Sequence, residues 1–224
     1  MISSEMYKKS IFINCPFDKN YKAIFHAIIF MALDCGYMPR CAFEADNGTE
    51  NRLKKIIALI KNCCLGIHDI SRTELDKSNR LPRFNMPFEL GLFFGARYYG
   101  QKEHRFKNCL ILDSKNFRFQ KFISDIAGHD IKIHGNAYQK AISAVREWLL
   151  PQTEKNVFLP SSKSITVRYN VFHQQRLPEV CKQLQLPAPD KLSFIEYRKL
   201  ATYWIKDNPP HPYLHHLANE KYEQ

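Results

Sequence analysis

Two periodicities of hydrophobic residues alternate along the first 150 residues of the chain. Short apolar runs bounded by turn residues predict five strands, at Ser10–Cys15, Tyr37–Phe43, Cys64–Ile70, Asn108–Leu112 and Asp130–His134. Apolar residues spaced three and four apart predict helices at Tyr21–Asp34, Asn51–Lys61, Pro87–Tyr99 and Tyr138–Leu150, and a shorter one at Phe119–Ile126. The strands are apolar on both sides, which is typical of a parallel sheet covered by helices on both faces.

The order of these elements predicts an α/β fold. Five strands in about 140 residues fit a flavodoxin-like parallel sheet with strand order 2-1-3-4-5 and right-handed crossovers. The alternation stops near Pro151, so we divide the chain into an α/β domain, 1–150, and a linker with a small helical domain, 151–224. In the second part, Ile165–Leu184 and Ser193–Asp207 have helical spacing, and Ser193 can cap its helix. About 60 residues cannot build a strong core alone, so we expect this part to dock on the sheet domain or on another subunit.

The composition excludes several classes of protein. With 45% hydrophobic and 25% charged residues, the chain is not a disordered polymer. No apolar run approaches the ~18 residues of a membrane span, and we expect neither a membrane partner nor a signal peptide. The seven cysteines include no CxxC pair, so the sequence suggests no disulfide framework and no metal site. A reducing cytoplasm is the expected compartment.

The positive charge is distributed along the chain. The formal net charge is +11, of which residues 1–150 carry +8 and residues 151–224 carry +3. Dispersed charge favours a solvated basic surface over a nucleic-acid footprint, and nucleic acid stays the less favoured partner.

Candidate binding residues lie where the predicted strands end. In doubly wound sheets, ligands bind beyond the carboxyl ends of the strands, near the switch in strand order. Neither GxGxxG nor GxxxxGK[ST] occurs, which argues against a Rossmann dehydrogenase and a P-loop NTPase. The candidates for binding a nucleotide at these ends are Asn14, Cys15, Pro16, Phe17 and Asp18 after strand one and Asp69, Ser71 and Arg72 after strand three.

The sharpest local feature is the segment 84–96, FNMPFELGLFFGA. Asn85 is a suitable N-cap and Pro87 suits a first helical turn, which places Glu89 near the positive end of an apolar helix. Gly91, Gly95 and Ala96, at positions i, i+4 and i+5, would let this helix approach the sheet closely. Glu89 either complements the helix dipole, or lies in a partly dry pocket where it orients a ribose and stabilises positive charge in a transition state.

The run Pro87-Phe88-Glu89-Leu90-Gly91 resembles the "FELG" signature of bacterial Toll/interleukin receptor (TIR)-like domains. Nucleoside deoxyribosyltransferases carry a similar Glu-Leu-Gly or Glu-Ile-Gly after the same strand. The resemblance covers about 10–135 as architecture and is motif-specific at the end of strand three and at 84–96. Strand one departs from it, since it ends in Asn-Cys-Pro-Phe-Asp where many TIR domains have a serine-rich stretch.

The resemblance implies an enzyme that cleaves an N-glycosidic bond. By position, Glu89 would be the catalytic carboxylate, Asp69 and Asn85 would contact ribose or substrate, and Asn14–Asp18 would line the pocket. The implied substrate is NAD, cleaved between nicotinamide and ribose without a cofactor, as in antiphage defence effectors. Such effectors work as oligomers, so 151–224 would bind another copy or an activating partner. The alternatives are a non-catalytic nucleotide-signal-binding module and a deoxyribosyltransferase-like enzyme.

Other residues have competing interpretations. Cys15 could be a nucleophile but fits better as a packing residue. Of the adjacent His68 and Asp69, which point to opposite faces of a strand, we favour Asp69 at the binding rim. The loop arginines Arg72, Arg80 and Arg83 could bind a diphosphate or be solvated. The R-x4-H pattern of HEPN ribonucleases, at Arg168 and His173, fits a packing stripe better than a ribonuclease site. The histidines His211, His215 and His216 fit a polar tail better than a metal cluster.

Overall fold

The computed structural model describes residues 3–44, 49–73, 83–155 and 157–210. Its strands are β1 (Ser10–Asn14), β2 (Met38–Arg40), β3 (Leu65–Asp69), β4 (Asn108–Asp113) and β5 (Ile131–Ile133). All pairings are parallel, and the strand order is β2-β1-β3-β4-β5. The predicted α/β flavodoxin-like layout is therefore confirmed.

Eight α-helices lie in the described residues. They are α1 (Ser4–Lys9), α2 (Lys22–Asp34), α3 (Arg52–Asn62), α4 (Asn85–Tyr99), α5 (Tyr138–Leu149), α6 (Ser162–Asn170), α7 (Leu177–Gln183) and α8 (Phe194–Asp207). None of these described helices has both the length and the apolarity that crossing a membrane requires.

Helices cover both faces of the sheet. Ile11, Ile13 and Ile67 pack with α2 and α5 in the largest hydrophobic cluster, because alternate strand residues point to the same side. Phe12 points to the other side, where it packs with Ile60 of α3 and Phe93 of α4. The carboxyl edge of the sheet therefore has an α2/α5 face and an α3/α4 face.

The C-terminal helices extend the α2/α5 face. Tyr197 of α8 stacks on buried His26 of α2 with ring centroids 3.8 Å apart. Arg168 of α6 donates to the buried Asp34 carboxylate at 2.7 Å. Residues after 150 thus contact the sheet domain through a shared core, which is one of the two docking modes expected for them.

Several predicted elements differ in length or type. β2 is shorter than the predicted Tyr37–Phe43. It is an edge strand, a position that tolerates Pro39 within the strand because the missing N–H has no partner strand on that side of the described sheet. The predicted helix at Phe119–Ile126 is wrong: two short 3₁₀ turns, Arg118–Lys121 and Ser124–Ile126, replace it. These turns bury both Phe119 and Ile126 beside β4.

The predicted helix Ile165–Leu184 is divided by a π-helical segment, Val171–Arg176. Pro178 follows this segment and cannot donate the hydrogen bond that a continuous α-helix needs there. The predicted cap of the next helix is confirmed, since Ser193 and Glu196 form a capping box at the start of α8.

The close approach between α4 and the sheet comes from a strand glycine. A Cβ on Gly66 of β3 would lie 2.8 Å from His68 Nε2 and 2.9 Å from the Phe93 ring. Among the described residues, Gly91 and Gly95 have no such neighbour within 4 Å, and Gly91 is exposed. The prediction that these two glycines face the sheet is therefore wrong.

Candidate functional site

Glu89 lies on the α3/α4 face of the carboxyl edge. Met86, Glu89 and Phe93 form the buried face of α4, at the helical spacing of three and four residues. The Glu89 residue is 5% exposed, and burial raises the pKa of its carboxyl to about 7. A carboxyl at this pKa can change its ionisation near neutral pH, which is a property of many catalytic groups.

The start of α4 differs from the prediction. Asn85 is the first helical residue and is exposed, and the N-cap is Phe84, whose side chain makes no capping hydrogen bond. Pro87 lies in the first turn, as predicted, and Glu89 lies in the second. Because the dipole effect declines within the first turn, it does not explain the position of Glu89.

A buried amide holds the start of α4 against the sheet. Asn14, at the end of β1, donates from Nδ2 to the carbonyl of Met86 at 2.9 Å. The same Nδ2 lies 3.0 Å from Nδ1 of His68 on β3, and burial lowers the pKa of His68 to about 3. Neutral His68 therefore accepts this bond at Nδ1. The predicted site residue Asn14 thus positions the first turn of α4, directly before the turn that carries Glu89.

Arg52 of α3 forms an ion pair with Glu89. Its Nη2 lies 3.9 Å from Glu89 Oε1, and its side chain is 55% exposed, whereas that of Glu89 is 7% exposed. The positive charge of Arg52 partly offsets the effect of burial on the Glu89 pKa. Arg52 thus marks a position where a positive group contacts this carboxylate.

The exposed side of Arg52 lines a cavity of about 690 Å³. Phe17 and Phe43 contact each other edge to face in its wall, with centroids 4.4 Å apart. The cavity is lined by Phe17, Lys22, Phe25, Ala42, Phe43, Glu50, Arg52, Lys55 and the segment 192–195. Three basic side chains against one acidic side chain suit an anionic ligand, and aromatic walls suit a base.

The C-terminal part of the chain contributes to this cavity. Lys22 Nζ donates to the carbonyl of Leu192 at 3.1 Å, which joins the start of α2 to the segment before α8. Sequence reasoning missed Arg52, Phe43 and the residues 192–195 as site residues. The rule that ligands bind beyond carboxyl ends applies to β2 as well, and it could have identified Arg52 and Phe43.

Asp69 belongs to a buried network on the α2/α5 face. Its carboxylate accepts from Tyr21 Oη at 2.6 Å and from the Ser71 amide at 2.8 Å. His134 Nε2 lies 3.0 Å from Asp69 Oδ2, although the angle is poor for a hydrogen bond. The Asn136 amide donates to His134 Nδ1 at 3.0 Å, so the proton of a neutral ring is at Nε2, beside Asp69. Asp69 therefore ends β3 at the expected edge, but its side chain is fully buried.

The remaining predicted site residues lie nearby in different settings. Asp18 and Arg72 form an ion pair at 3.2 Å that joins the loop after β1 to the segment after β3. Ser71 is buried, and its hydroxyl has no hydrogen-bond partner in the described residues. Pro16 is buried and Phe17 is half-buried. The structure thus places Phe17 in the cavity wall and Ser71 in the interior.

Cys15 is a packing residue. It is fully buried among Ile13, Tyr21 and their neighbours. Burial raises the pKa of its thiol well above the ordinary value, and the charges of Asp69 and Glu89 act in the same direction. A reactive cysteine needs the opposite, a lowered pKa and access to solvent.

The other motifs have structural settings where the structure describes them. Arg168 binds Asp34 and lies over the Trp204 ring, and His173 stacks on Tyr169. Arg80 and the histidines His211, His215 and His216 lie outside the described residues. Within the described ranges, no group of three or more His, Cys, Asp or Glu side chains is arranged to hold a metal ion.

Comparisons of the chain with protein-family models, with curated proteins and with solved structures return no match. The site must therefore be interpreted from its own chemistry.

Proposed function

We propose that this protein is a nucleotide glycohydrolase that cleaves the bond between nicotinamide and ribose in NAD, with Glu89 as its catalytic carboxylate. The observation that carries the proposal is a buried carboxyl with a raised pKa beside an aromatic and basic cavity. The resemblance of the Pro87–Gly91 run to TIR-like domains supports the same reaction. The proposed role in antiphage defence rests on that resemblance alone.

The cavity chemistry fits a dinucleotide. A diphosphate carries negative charge that Lys22, Arg52 and Lys55 can neutralise. An aromatic base can pack against Phe17 and Phe43. When the diphosphate binds Arg52, the guanidinium leaves Glu89, and the cationic nicotinamide riboside can take its place at the carboxylate.

The proposed reaction needs little acid–base chemistry. The C1′–N bond breaks, its electron pair leaves with nicotinamide, and positive charge develops on the ribose ring. Ionised Glu89 stabilises that charge in a partly dry site, where the interaction is stronger than in water. Water then adds to C1′ and releases a proton. Since only the ionised carboxylate acts, we expect kcat/KM to rise with pH through about 7.

The experiment is an assay of nicotinamide release from NAD by the full chain. Glu89→Gln keeps the shape of the side chain and removes its charge, and we expect a loss of about 10²–10⁴-fold in turnover. Glu147→Gln is the matched control, because Glu147 is exposed on α5. Equal turnover by Glu89→Gln and the unmodified chain would overturn the proposal.

One observation favours a second candidate, a non-catalytic module that binds a nucleotide signal. Glu89 itself is not among the residues that line the cavity, because Arg52 lies in front of it. A ligand that leaves Arg52 in place would bind without touching the carboxylate. NAD or another nucleotide that binds, yet stays intact with both the unmodified chain and Glu89→Gln, would favour this candidate.

A further inference from the structure

The outward face of α4 carries a continuous uncharged stripe. Its members are three and four residues apart along the helix: Phe84 directly before it, then Phe88, Gly91, Gly95, Tyr98 and Tyr99. The four aromatic side chains are exposed, from 54% at Phe88 to 90% at Tyr99. Surface helices ordinarily present charged residues to water, so this face is atypical.

Both charged residues of α4 are directed elsewhere. Glu89 is buried toward α3, and Arg97 donates to the carbonyl of Lys107. The described helix thus leaves its solvent-facing side without a charge. In a chain with a net charge of +11, an uncharged helix face lets two like-charged molecules meet without placing basic groups in contact.

The stripe has the size of an interaction surface. At about 200 Å² for each aromatic side chain, the exposed parts of the four rings amount to on the order of 500 Å². A stable complex buries about 800 Å² on each partner, and the largest apolar patch of a monomer is usually below about 600 Å² and often functional. The stripe therefore supplies most of the apolar area of one side of an interface.

The pattern of the stripe is self-complementary. Gly91 and Gly95 lie at its middle. Apart from the backbone of α4 itself, no atom of the described residues lies within 4 Å of a Cβ built at either position, so another helix can approach the backbone there. Phe88 and Tyr98 are placed symmetrically about the midpoint of the two glycines. Two antiparallel copies of α4 would therefore pair Gly91 with Gly95 and Phe88 with Tyr98 of the other copy, as a two-fold interface requires.

We propose that α4 forms a homodimer interface, in which this stripe packs antiparallel against the same stripe of a second copy. The interface lies on the opposite side of α4 from Glu89 and does not involve the C-terminal helices. It is independent of the proposed hydrolysis, since neither Glu89 nor the cavity residues belong to it.

The test measures the molar mass of the full chain by light scattering after gel filtration. We expect the unmodified chain at twice its mass of 26.4 kDa and Gly95→Glu at the single mass. Gly95→Glu introduces a charge at the centre of the stripe, and its helix propensity is better than that of glycine, so the fold tolerates it. Circular dichroism verifies that the variant is folded.

The matched control is Val167→Glu, which places the same charge at an exposed apolar position of α6. We expect this variant to keep twice the chain mass. A monomeric unmodified chain, or a dimer that Val167→Glu dissociates and Gly95→Glu does not, would overturn the proposal. The second result would place the interface on the C-terminal helices.

Disulfide trapping tests the orientation. In the antiparallel arrangement, position 91 of one copy faces position 95 of the other, whereas identical positions are about 6 Å apart along the axis. A mixture of Gly91→Cys and Gly95→Cys, oxidised with glutathione disulfide, should give several-fold more cross-linked dimer than either variant alone. Equal cross-linking in the mixture and in each single variant would overturn this pairing.

Discussion

Asp69 and Glu89 are two buried carboxylates at the same edge of one sheet, and their surroundings differ. Asp69 accepts from Tyr21 and from the Ser71 amide, and it contacts His134. Glu89 has an ionic contact of 3.9 Å with a largely exposed arginine, and its pKa is raised. A buried carboxylate with several close partners is typical of a structural group. A carboxyl whose pKa is raised by burial to near 7 is typical of a functional group.

The largest effect on stability should come from Asp69. Asp69→Ala leaves the buried Tyr21 hydroxyl and the buried Ser71 amide without their acceptor, and we expect unfolding to become easier by about 3–5 kcal/mol. Urea denaturation measures this free energy. Tyr21→Phe, which removes one bond of the network, should cost about 1.5–3 kcal/mol. A cost below about 1 kcal/mol for Asp69→Ala would contradict the structural role of this network.

Removing the charge of Glu89 is expected to stabilise the protein, whereas removing Asp69 destabilises it. The pKa of Glu89 rises from 4.5 in the unfolded chain to about 7 in the folded chain, so the folded state favours the protonated form. The stability linked to this group is fully present below about pH 4.5 and is lost as the pH rises through about 7. Glu89→Gln should therefore stabilise the protein by up to about 3 kcal/mol near pH 8, with little effect near pH 4.

This prediction is checked by the difference in unfolding free energy between Glu89→Gln and the unmodified chain as a function of pH. The exposed Glu147→Gln should show no such pH-dependent difference. A Glu89→Gln variant that is less stable than the unmodified chain at high pH would mean that Glu89 is a satisfied structural acid.

The sheet could be predicted because the sequence patterns that indicate its strands and helices are local. Strands buried on both faces need apolar runs, and the helices between them need apolar residues three and four apart, so the order 2-1-3-4-5 followed from the alternation. Glu89 was found because it is an acid in an otherwise apolar segment. Its burial could not be predicted, because it depends on α3, on Asn14 and on the packing of α4 against β3.

Other features of the site were not predictable because they depend on distant residues. Asp69 and Tyr21 are 48 residues apart, and the periodicity of a strand does not show which hydroxyl its last residue binds. The segment 192–195 reaches the cavity only because α8 packs on α2. The glycines were misassigned because spacing along a helix identifies a shared face and does not show which way that face points.

Alanine substitutions of Gly66 and Gly91 should change the stability of the protein by intermediate amounts and in opposite directions. Gly66→Ala places a methyl group 2.8 Å from His68 and 2.9 Å from Phe93, on the α3/α4 face that positions Glu89. We expect a cost of about 1–3 kcal/mol from overpacking. Within one copy of the chain, Gly91→Ala meets no described atom outside α4, and in the monomer it should stabilise the helix by about 0.5–1 kcal/mol. Thermal unfolding compares the two, and a neutral Gly66→Ala would show that the α4 contact is loose.

The smallest expected difference in stability concerns the N-terminal capping of α8 and of α4, which lie on different faces of the sheet. Ser193 begins α8, beside α2, with a complete capping box, in which Glu196 Oε2 accepts from the Ser193 amide at 2.8 Å. Asn85 begins α4 without a capping bond. Ser193→Ala should therefore cost about 1 kcal/mol in urea denaturation, and Asn85→Ala less than about 0.5 kcal/mol. Equal costs would mean that the Asn85 side chain caps α4 in solution. In that case the helix would begin one residue later, and Glu89 would lie closer to its positive end, where the dipole would stabilise the ionised carboxylate.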